Sequence, residues 1–512
     1  MTGTLSARGQ QVLEALQLPE QRLSPAAMVL LCGLPGTGKS YVAQKLAARL
    51  PIVVLASDAV RHLFFPTPAY TSEENTIVHR ALLEVTANLL EAGHSVLIDA
   101  TNLMHRHRQR YYSLAEAYGN HLLIVQTIAA PEIVRHRLAE RQAGRTPSSC
   151  SDADWEVYLD FADSVEPIRR PHRVVDTSED IADVIEEIAR QMKGAPISLP
   201  SYPRARFILN PAAGQSYRLG DLEETLGYLV RQGWELSLRE TSRSHEAMQI
   251  ARQAAEEGLD IVVAVGGDGT VGEVVNGLAH TQTALAVIPL GSGNGWAREQ
   301  GLDLEPLQAA RTLAQGQIRF ADLGMAGTHY FLLMAGVGFD AAVVQALSDW
   351  DHQFPWPIGY FIKTLTMAID FTGEQAVVDL DEQQVEGKTI LVVLSNTRVY
   401  GVLGQVNPQA SVDDGLLDIC ILRGKGGLPQ ISLFTIGALF QHPEIVSGVE
   451  LYRAREVKIT SETPLYVQTD GDLVGKTPMT FKAMPRALRV LVPSELPPGL
   501  FSYPESNGEK YG

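Results

Sequence analysis

One segment, GLPGTGKS at residues 33–40, constrains the fold of this chain more than any other. It follows the apolar run at residues 27–32 and precedes a stretch compatible with a helix through residue 50. Glycines let such a loop curl until its backbone N–H groups point at phosphate oxygens, and the helix N-terminus adds positive potential. The lysine then reaches the β and γ phosphates, and the serine ligates Mg²⁺. The residues assigned to this cradle are Gly33, Gly36, Gly38, Lys39 and Ser40.

The surrounding residues predict an α/β domain over residues 26–192. Strand patterns recur at residues 52–55, 95–99 and 121–127, with helical stretches between them. Strands that alternate with helices indicate a parallel sheet covered on both faces, here a three-layer P-loop NTPase domain. The segment KGAPISLPSYPR that follows holds three prolines in twelve residues and has no periodicity. Residues 193–203 are therefore predicted to form an interdomain linker.

Polar side chains at the ends of the next strands indicate chemistry beside this loop. Asp58 and Arg61 follow the second strand, at the end where parallel sheets bind ligands. Asp58 could accept a proton from an attacking hydroxyl, and Arg61 could grip a substrate anion. Asp99 closes an apolar strand and is placed to hold Mg²⁺. Three arginines spaced along a later helix could form a lid over the transferring phosphoryl group: Arg137, Arg141 and Arg145.

A second glycine-rich loop, GGDGT, begins at residue 266 and follows the strand pattern at residues 261–265. Strand–helix alternation around it predicts an α/β nucleotide-binding lobe over residues 204–320. This loop has no lysine, so the charge of a bound phosphate must be neutralised by metal and backbone dipoles. Asp268 would lie beside the nucleotide and hold Mg²⁺ through water. The residues assigned to this loop are Gly266, Gly267, Asp268, Gly269 and Thr270.

Further motifs occur in order along the chain. Those at the ends of the first lobe's strands are Asn210 in NPAAG, Thr241, and Ser292 with Asn294 in PLGSGNGWAR. Short β-rich runs then predict a mostly antiparallel lobe over residues 321–495. This lobe holds DGLLD, which begins at Asp414, and DGD, which ends at Asp472. Residues 496–512 are predicted to form a flexible tail.

The N-terminal residues resemble a family, the P-loop kinases related to phage polynucleotide 5′-hydroxyl kinases and zeta toxins. The likeness rests on GLPGTGKS, SDAVR, LIDATN and the helix with spaced arginines. That family phosphorylates nucleic-acid ends, sugars and small metabolites. The resemblance therefore implies an ATP-dependent kinase without naming its acceptor.

Residues 204–493 resemble the bacterial diacylglycerol kinase-like lipid kinases, through the five motifs in their order. The resemblance implies that ATP is bound by the GGDGT loop together with Asn210, Thr241 and the Ser292–Asn294 motif. It implies a Mg²⁺-linked site at Asp414 and the backbone of Leu416. It also implies that Asp472 is the general base for a lipid hydroxyl, facing the nucleotide across a cleft between the two lobes.

Three positions depart from that family's pattern. Asp472 stands where many members have glutamate, which shortens the side chain by one methylene. Ser292 replaces the commoner threonine and keeps the hydroxyl. Gly295 stands where aspartate is frequent, which removes a carboxylate and leaves part of that loop's role open.

Composition limits the partners that this chain can bind. The formal net charge of −17 argues against an extended nucleic-acid surface, which needs concentrated lysine and arginine. The best candidate for a bilayer-crossing run, residues 431–440, is too short and ends at Gln441. The N-terminus has no secretory signal, and three distant cysteines fit a reducing compartment. We therefore expect a cytoplasmic enzyme, with at most transient contact at the inner face of the membrane.

The segment WDHQFPWPIGYF, residues 350–361, is the predicted contact with lipid, because aromatic residues suit the membrane interface. Ordinary core packing is the alternative for this segment. Two functional alternatives also stay open. The C-terminal part could be an NAD kinase-like or other small-hydroxyl kinase, and the N-terminal part could be a nucleotide-sensing regulatory module. The oligomeric state and the lipid acceptor do not follow from the sequence.

Overall fold

The computed structural model describes residues 5–23, 26–118, 121–143, 154–162, 165–170, 172–194, 197–211, 219–348, 356–381, 383–400 and 404–502. The chain divides into two compact units, Met1–Ala195 and Pro196–Gly512. We call them the N-terminal unit and the C-terminal unit.

The N-terminal unit is a parallel sheet between helices. Its strands are β1 (Ala27–Cys32), β2 (Ile52–Ala56), β3 (Ser95–Asp99), β4 (His121–Ile128) and β5 (Arg173–Asp176). Its helices are α1 (Ala7–Glu14), α2 (Lys39–Ala47), α3 (Ser57–Phe64), α4 (Ser72–Glu91), α5 (His105–Ala117), α6 (Pro131–Gln142), α7 (Trp155–Ala162) and α8 (Ala182–Met192).

The strand order is β2-β3-β1-β4-β5, and every pairing is parallel. Every residue of β1 is buried, because one apolar core covers each face of the sheet. The phosphate loop joins the central strand β1 to α2, so its residues lie at the carboxyl edge of the sheet. The predicted three-layer fold is confirmed.

The C-terminal unit contains more strands than helices. Its strands are β6 (Ile197–Ser198), β7 (Arg204–Leu209), β8 (Glu235–Glu240), β9 (Ile261–Gly266), β10 (Ala284–Pro289), β11 (Gln317–Ala326), β12 (His329–Phe331), β13 (Met334–Gly338), β14 (Glu374–Leu380), β15 (Gln383–Ser395), β16 (Val399–Tyr400), β17 (Gly404–Gln405), β18 (Leu417–Arg423), β19 (Val449–Ala454), β20 (Glu456–Ser461), β21 (Tyr466–Thr469), β22 (Asp472–Lys476) and β23 (Met479–Val492). Its helices are α9 (Leu219–Arg231), α10 (Glu246–Glu256), α11 (Asp268–Leu278), α12 (Gly295–Glu299), α13 (Pro306–Ala314), α14 (Phe339–Ser348), α15 (Trp356–Asp370) and α16 (Leu428–Leu439), with a short 3₁₀ turn at Pro443–Ile445.

Two lobes share one mixed sheet in this unit. Strands β8-β7-β9-β10 pair in parallel and form the first lobe, whereas the pairings of β13, β14, β15, β18 and β20 are antiparallel. The long strand β23 joins the lobes, because it pairs in parallel with β10 and antiparallel with β11 and β20. The mixed α/β fold is therefore as predicted, but β23, the last strand among the described residues, belongs to both lobes.

Parts of the predicted linker and of the predicted tail are ordered in the structure. Within the predicted linker, β6 pairs with β11, so Ile197 and Ser198 are part of the C-terminal unit. Within the predicted tail, Leu500 is fully buried and accepts a hydrogen bond from Val412 N at 3.0 Å. The prediction of a flexible tail therefore does not hold for residues 496–502, because apolar Leu500 and Phe501 fill a core position.

Candidate active sites

The phosphate loop of the N-terminal unit needs glycine for two reasons. Gly36 and Gly38 have φ values of 79° and 83°, which is the left-handed region. A Cβ atom on Gly36 would lie 2.7 Å from Val134 Cγ1, and one on Gly38 would lie 2.9 Å from Thr177 Oγ1. Larger residues would therefore be both strained and obstructed at these positions.

A cluster of charged and hydroxyl groups lies at this loop. Lys39 Nζ donates to the Leu34 carbonyl at 2.9 Å. Burial lowers the pKa of Lys39, while the charges of Asp99 and Asp58 act in the opposite direction. Burial raises the pKa of Asp99, which Lys39 and a hydrogen bond with Ser40 oppose. The structure thus brings Lys39, Ser40, Asp58 and Asp99 together.

These groups fit a magnesium ion. Ser40 is close enough to Asp99 to lower the pKa of that carboxyl, so two oxygen ligands lie near each other. In the described part of the chain, no three histidine, cysteine, aspartate or glutamate side chains form a metal cluster. Magnesium in phosphoryl-transfer sites commonly uses one or two carboxylates plus substrate phosphates, so a small donor set is sufficient.

The predicted arginines have different surroundings. Arg61 is buried and donates to Asn75 Oδ1 at 2.6 Å and to Glu74 Oε2 at 3.5 Å, whereas its Nε has no hydrogen-bond partner among the described residues. Arg137 Nη2 donates to the Thr177 carbonyl at 2.6 Å, beside the phosphate loop. Arg141 is close enough to Lys39 to lower that lysine's pKa. Arg145 lies outside the described residues.

Sequence reasoning missed Arg108 in this unit. A cavity of about 180 Å³ beside the loop is lined by Gly33, Arg108 and Gln126, among others. The buried Arg108 guanidinium donates to the carbonyls of Asn102, Leu103, Glu166 and Pro167, at 2.6–3.0 Å. It therefore fixes two loops at the mouth of the cavity. Nothing in the arginine-rich sequence of α5 distinguishes this residue from its neighbours.

The C-terminal unit builds its nucleotide loop from two chain segments. A Cβ atom on Gly291 would lie 2.5 Å from Gly267 Cα, so glycine is needed where the two loops touch. Asp268 Oδ1 accepts a hydrogen bond from Gly295 N at 2.7 Å and joins the same two loops. Burial raises the pKa of Asp268, and hydrogen bonds from the backbone N–H groups of Gly295 and Asn294 oppose this shift. The Asp268 carboxylate is therefore engaged in holding the loops together, and its predicted role in binding Mg²⁺ through water stays a prediction.

Close contacts also explain why glycine stands at position 295, where the family pattern has aspartate. A Cβ atom there would lie 2.7 Å from Leu333 Cδ1 and 3.5 Å from Asp268 Oδ1. An aspartate at this position would contact Leu333 of the second lobe and place a second carboxylate beside the buried carboxylate of Asp268. The Asn294 amide is bonded to the backbone of Gly291 at both its oxygen and its nitrogen, so it shapes the loop.

A cleft of about 480 Å³ brings the predicted residues of both lobes together. The first lobe contributes Asn210, Thr241, Gly267, Gly269 and Thr270, and the second contributes Asp472. Asn210 Nδ2 donates to Thr270 Oγ1 at 3.2 Å, which ties the first motif to the glycine loop. Ser292 is exposed and is not one of the residues lining this cleft.

Asp472 begins β22 and is exposed in the cleft. Its pKa is raised by partial desolvation and by Glu273, while His245 opposes the shift. Glu273 also accepts hydrogen bonds from the backbone of His245 and Ala247, at 2.9 and 3.0 Å. Sequence reasoning missed Glu273, although it lies one helical turn after the GGDGT loop.

A buried relay supports the turn that carries Asp472. Gln468 Oε1 accepts from Gly471 N at 2.8 Å, and Gln468 Nε2 donates to Asp340 Oδ2 at 2.7 Å. Both side chains are almost fully buried. Asp340 therefore fixes which end of the Gln468 amide faces the turn. The two residues are 128 positions apart, so the sequence gives no sign of this pairing.

The first aspartate of the DGD motif, Asp470, anchors this turn from inside the lobe. Its carboxylate accepts from the backbone N–H groups of Leu332, Leu333 and Met334 at 2.8–3.0 Å. A similar buried carboxylate, Asp322, accepts from Gly415 N and Arg486 N, each at 2.6 Å.

The raised pKa values of Asp322 and Asp470 predict that the C-terminal unit loses stability as pH rises. Burial raises the pKa of Asp322 to about 8, with Asp413 and Asp414 nearby. Burial raises the pKa of Asp470 to about 7, with Asp268 nearby. The folded chain then holds protons that the unfolded chain, with ordinary aspartate pKa values, has lost. The free energy of unfolding therefore falls as pH rises from about 4 to about 8.

Scanning calorimetry measures this effect. We expect the melting temperature of the C-terminal unit to be several degrees lower at about pH 8.5 than at about pH 6.5. A melting temperature that rises or stays constant over this interval would contradict the raised pKa values.

The structure does not place Asp414 and Leu416 in the cleft. One Asp414 carboxylate oxygen pairs with Arg453, and the other accepts from Leu416 N at 3.1 Å. Arg453 also pairs with Asp418 at 3.0 Å. Because the Arg453 guanidinium already pairs with both carboxylates, this donor set does not fit a magnesium site in this arrangement. The predicted metal role of Asp414 and Leu416 therefore has no support from the geometry.

Comparisons with known proteins agree with the two-unit organisation. Residues 28–168 match the AAA domain family, residues 204–326 match the diacylglycerol kinase catalytic domain, and residues 334–492 match the YegS C-terminal NAD kinase beta sandwich-like domain. The diacylglycerol kinase of Bacillus subtilis (strain 168) is 29% identical over 296 residues, covering 57% of this chain and 97% of that protein. That of Staphylococcus aureus (strain Newman) is 28% identical over 299 residues, covering 57% and 93%.

A crystal structure of a Bacillus anthracis (strain Sterne) protein assigned as a diacylglycerol kinase has the same fold. The TM-score is 0.51 at 23% identity, over 58% of this chain and 97% of that one. Residues 28–168 are therefore similar to a P-loop kinase-like domain and residues 204–326 to a diacylglycerol kinase catalytic domain, and both matches support a kinase enzyme.

Proposed function

We propose that the C-terminal unit transfers the terminal phosphoryl group of ATP to the hydroxyl of a diacylglycerol-like lipid. The observation that carries this proposal is the cleft in which the glycine loop of one lobe faces Asp472 of the other. The relatives named diacylglycerol kinase, which align over nearly their whole length, support the acceptor class.

Each side of this cleft would have a separate task. Gly267 and Gly269 lie at the N-terminus of α11, whose backbone N–H groups and dipole favour phosphate. Asp472 would orient the acceptor hydroxyl and take its proton as the oxygen attacks the terminal phosphorus. Arg243, at the rim of the cleft, would add positive charge.

The cleft also offers a ligand for Mg²⁺. Glu273 contributes to its lining a carboxylate separate from the proposed base Asp472, and carboxylate oxygen is the donor type that magnesium takes. When bound, Mg²⁺ would neutralise phosphate charge that this lysine-free loop leaves unbalanced.

An acceptor panel tests the proposal. The full chain is incubated with radiolabelled ATP, Mg²⁺ and one of dioleoylglycerol, sphingosine, ceramide or NAD. We expect label in the diacylglycerol product. Label only in NAD would replace the proposal with the NAD kinase-like alternative, which the beta sandwich match favours. No label in any acceptor would reject a kinase of either kind in this unit.

We propose that the N-terminal unit is a second kinase that phosphorylates a small hydroxyl compound. Support comes from Asp58 and Asp99 beside Lys39, and from the separate 180 Å³ cavity beside the loop. A nucleotide sensor needs the loop but not a carboxylate placed to activate a hydroxyl. ATP turnover by the full Asp472→Asn chain with sugar, nucleoside and RNA-end acceptors tests this. Tight ATP binding with no turnover would favour the sensor.

The buried relay predicts a second effect on catalysis by the C-terminal unit. Gln468→Met keeps the volume but removes the acceptor of the Gly471 N–H group and the Nε2 donor to Asp340 Oδ2. The turn would then hold Asp472 less precisely, and we expect kcat to fall about tenfold or more. The KM for ATP should not change, because the glycine loop is untouched. A variant that melts at a lower temperature but keeps the wild-type kcat would show that the relay is only structural.

A further inference from the structure

A charged pair is buried where the two lobes of the C-terminal unit meet. Glu299 belongs to the first lobe, and its side chain is fully buried. Its carboxylate accepts hydrogen bonds from Arg398 Nε at 2.7 Å and from Val399 N at 2.9 Å, both in the second lobe. An exposed ion pair contributes little to stability, but a buried carboxylate must keep its partners. The pair is therefore a fixed contact between the lobes.

On the side of the first lobe, the pair is attached to the nucleotide loop through one short helix. Glu299 is the last residue of α12, and Gly295 is the first. Gly295 N donates to Asp268 of the glycine loop at 2.7 Å, and Trp296 of the same helix is buried in the core. About one helical turn therefore connects Glu299 to the loop that is proposed to hold ATP.

On the side of the second lobe, the pair is attached to the segment that anchors the candidate base. Asn396 lies two residues before Arg398. Its side-chain amide donates to the Leu332 carbonyl and its backbone N–H to the Leu333 carbonyl, each at 2.9 Å. The N–H groups of the same two leucines donate to the Asp470 carboxylate at 2.8 and 3.0 Å. Hydrogen bonds and short chain segments therefore connect the pair to the turn that carries the base.

A third segment also holds the arginine of this pair. Arg398 Nη1 donates to the Pro498 carbonyl at 2.7 Å. Two residues later, Leu500 is fully buried, and its carbonyl accepts from Val412 N at 3.0 Å. The guanidinium therefore makes contacts through two different nitrogens. A lysine ammonium, which is a single point charge, could not keep both contacts in this geometry.

We propose that Glu299 and Arg398 are positioning residues that set the distance between the nucleotide loop and Asp472. The inference rests on the proposed function, since it concerns the transfer for which Asp472 is the proposed base. Neither member of the pair lines the cleft, so the pair acts through α12 and the segment at residues 332–333. In-line transfer needs the reacting atoms about 3–3.5 Å apart, and a misplacement of about 1 Å can cost about 100-fold in rate.

Replacing both members of the pair by methionine tests the inference. The full chain, in which no described helix is long and apolar enough to cross a membrane, is assayed with dioleoylglycerol in mixed micelles. Apolar replacement of a whole buried ion pair often preserves stability, so Glu299→Met with Arg398→Met should melt within a few degrees of the wild type. We expect kcat to fall about tenfold or more. The KM for ATP should not change, because the contacts within the first lobe remain.

A double-mutant cycle separates positioning from a general loss of structure. In the Asp472→Asn background the base is already lost, so the paired methionines should lower the residual rate less than about twofold. Arg398→Lys keeps a cation beside Glu299 and should retain more of kcat than Arg398→Met does. The matched control is Arg423→Met with Glu450→Met, because that ion pair joins β18 to β19 within the second lobe at 3.2 Å. It should leave kcat unchanged.

Two results would overturn the positioning role: a wild-type kcat in the paired variant, or an equal fall in kcat in both backgrounds. Hydrogen exchange gives a readout that does not need lipid transfer. Loss of the pair should speed exchange of the Leu332 and Leu333 N–H groups at least about tenfold, and the control variant should not. If the wild-type chain phosphorylated no lipid, the proposed function would be rejected. Faster exchange at the two leucines would then still show that the pair holds the Asp470 turn, and unchanged exchange would reject that attachment too.

Discussion

Asp472→Asn is expected to abolish transfer to the lipid while leaving ATP binding in the cleft intact. The amide keeps the shape of the side chain but cannot accept the proton that the hydroxyl loses. General-base catalysis typically contributes about 100- to 10,000-fold, so kcat should fall by that range. The KM for ATP should change little, because Asn210, Gly267 and Thr270 still line the nucleotide side. The measurement is initial rate against ATP concentration with dioleoylglycerol as acceptor.

Two further variants make this result specific. Asp472→Glu restores the longer carboxylate that many lipid kinases of this type carry, and it should keep most of the activity. Glu462→Gln removes an exposed acid from the same lobe and should have no effect. An Asp472→Asn enzyme with near wild-type kcat would remove Asp472 as the base and redirect attention to Glu273, the other carboxylate of the cleft.

Lys39→Ala is expected to abolish ATP turnover by the N-terminal unit and to leave lipid phosphorylation unchanged. The lysine supplies the positive charge of that loop, and its loss leaves Asp58 and Asp99 without their neighbouring cation. Removing a preorganised charged donor commonly costs about 100- to 1,000-fold in rate. Turnover is measured in the Asp472→Asn background, where the C-terminal unit is silent, and lipid phosphorylation is measured in the otherwise wild-type chain.

Lys45→Ala is the matched control for this prediction. Lys45 lies on the same helix, α2, but is exposed and contacts the ring of Tyr41. It should leave both activities unchanged. If Lys39→Ala lowered lipid phosphorylation and Lys45→Ala did not, nucleotide binding in the N-terminal unit would regulate the other unit, as the sensor alternative requires.

Much of the architecture could be predicted from local sequence. The phosphate loop lies between β1 and α2 because the glycines and the flanking apolar run allow little else. Strand–helix alternation and the later run of short β-rich segments likewise predicted a first α/β lobe and a second lobe rich in β structure. In both cases the signal is contained within about ten residues, which is the range over which backbone conformation and periodicity act.

Side-chain assignments were less complete for a physical reason. Arg61 was predicted to bind a substrate anion, and this stays a prediction, but the sequence did not show that its Nη atoms contact Asn75 and Glu74 on the next helix. Asp268 was predicted to hold Mg²⁺ through water, which stays a prediction, but the sequence did not show that its carboxylate also accepts from Gly295 across two loops. A sequence pattern shows which groups can ionise or donate, but not which partner each group contacts in the folded chain.

By itself the sequence determined the two glycine cradles, the strand–helix order around them and the acidic residues available for chemistry. Those features depend on residue type and near neighbours. Only the tertiary structure decided that Asp472 shares a cleft with the glycine loop, that Asp414 does not, and that Asp340 orients the turn through Gln468. These facts join residues from far apart in the chain, and their distances are set by how whole strands and helices pack.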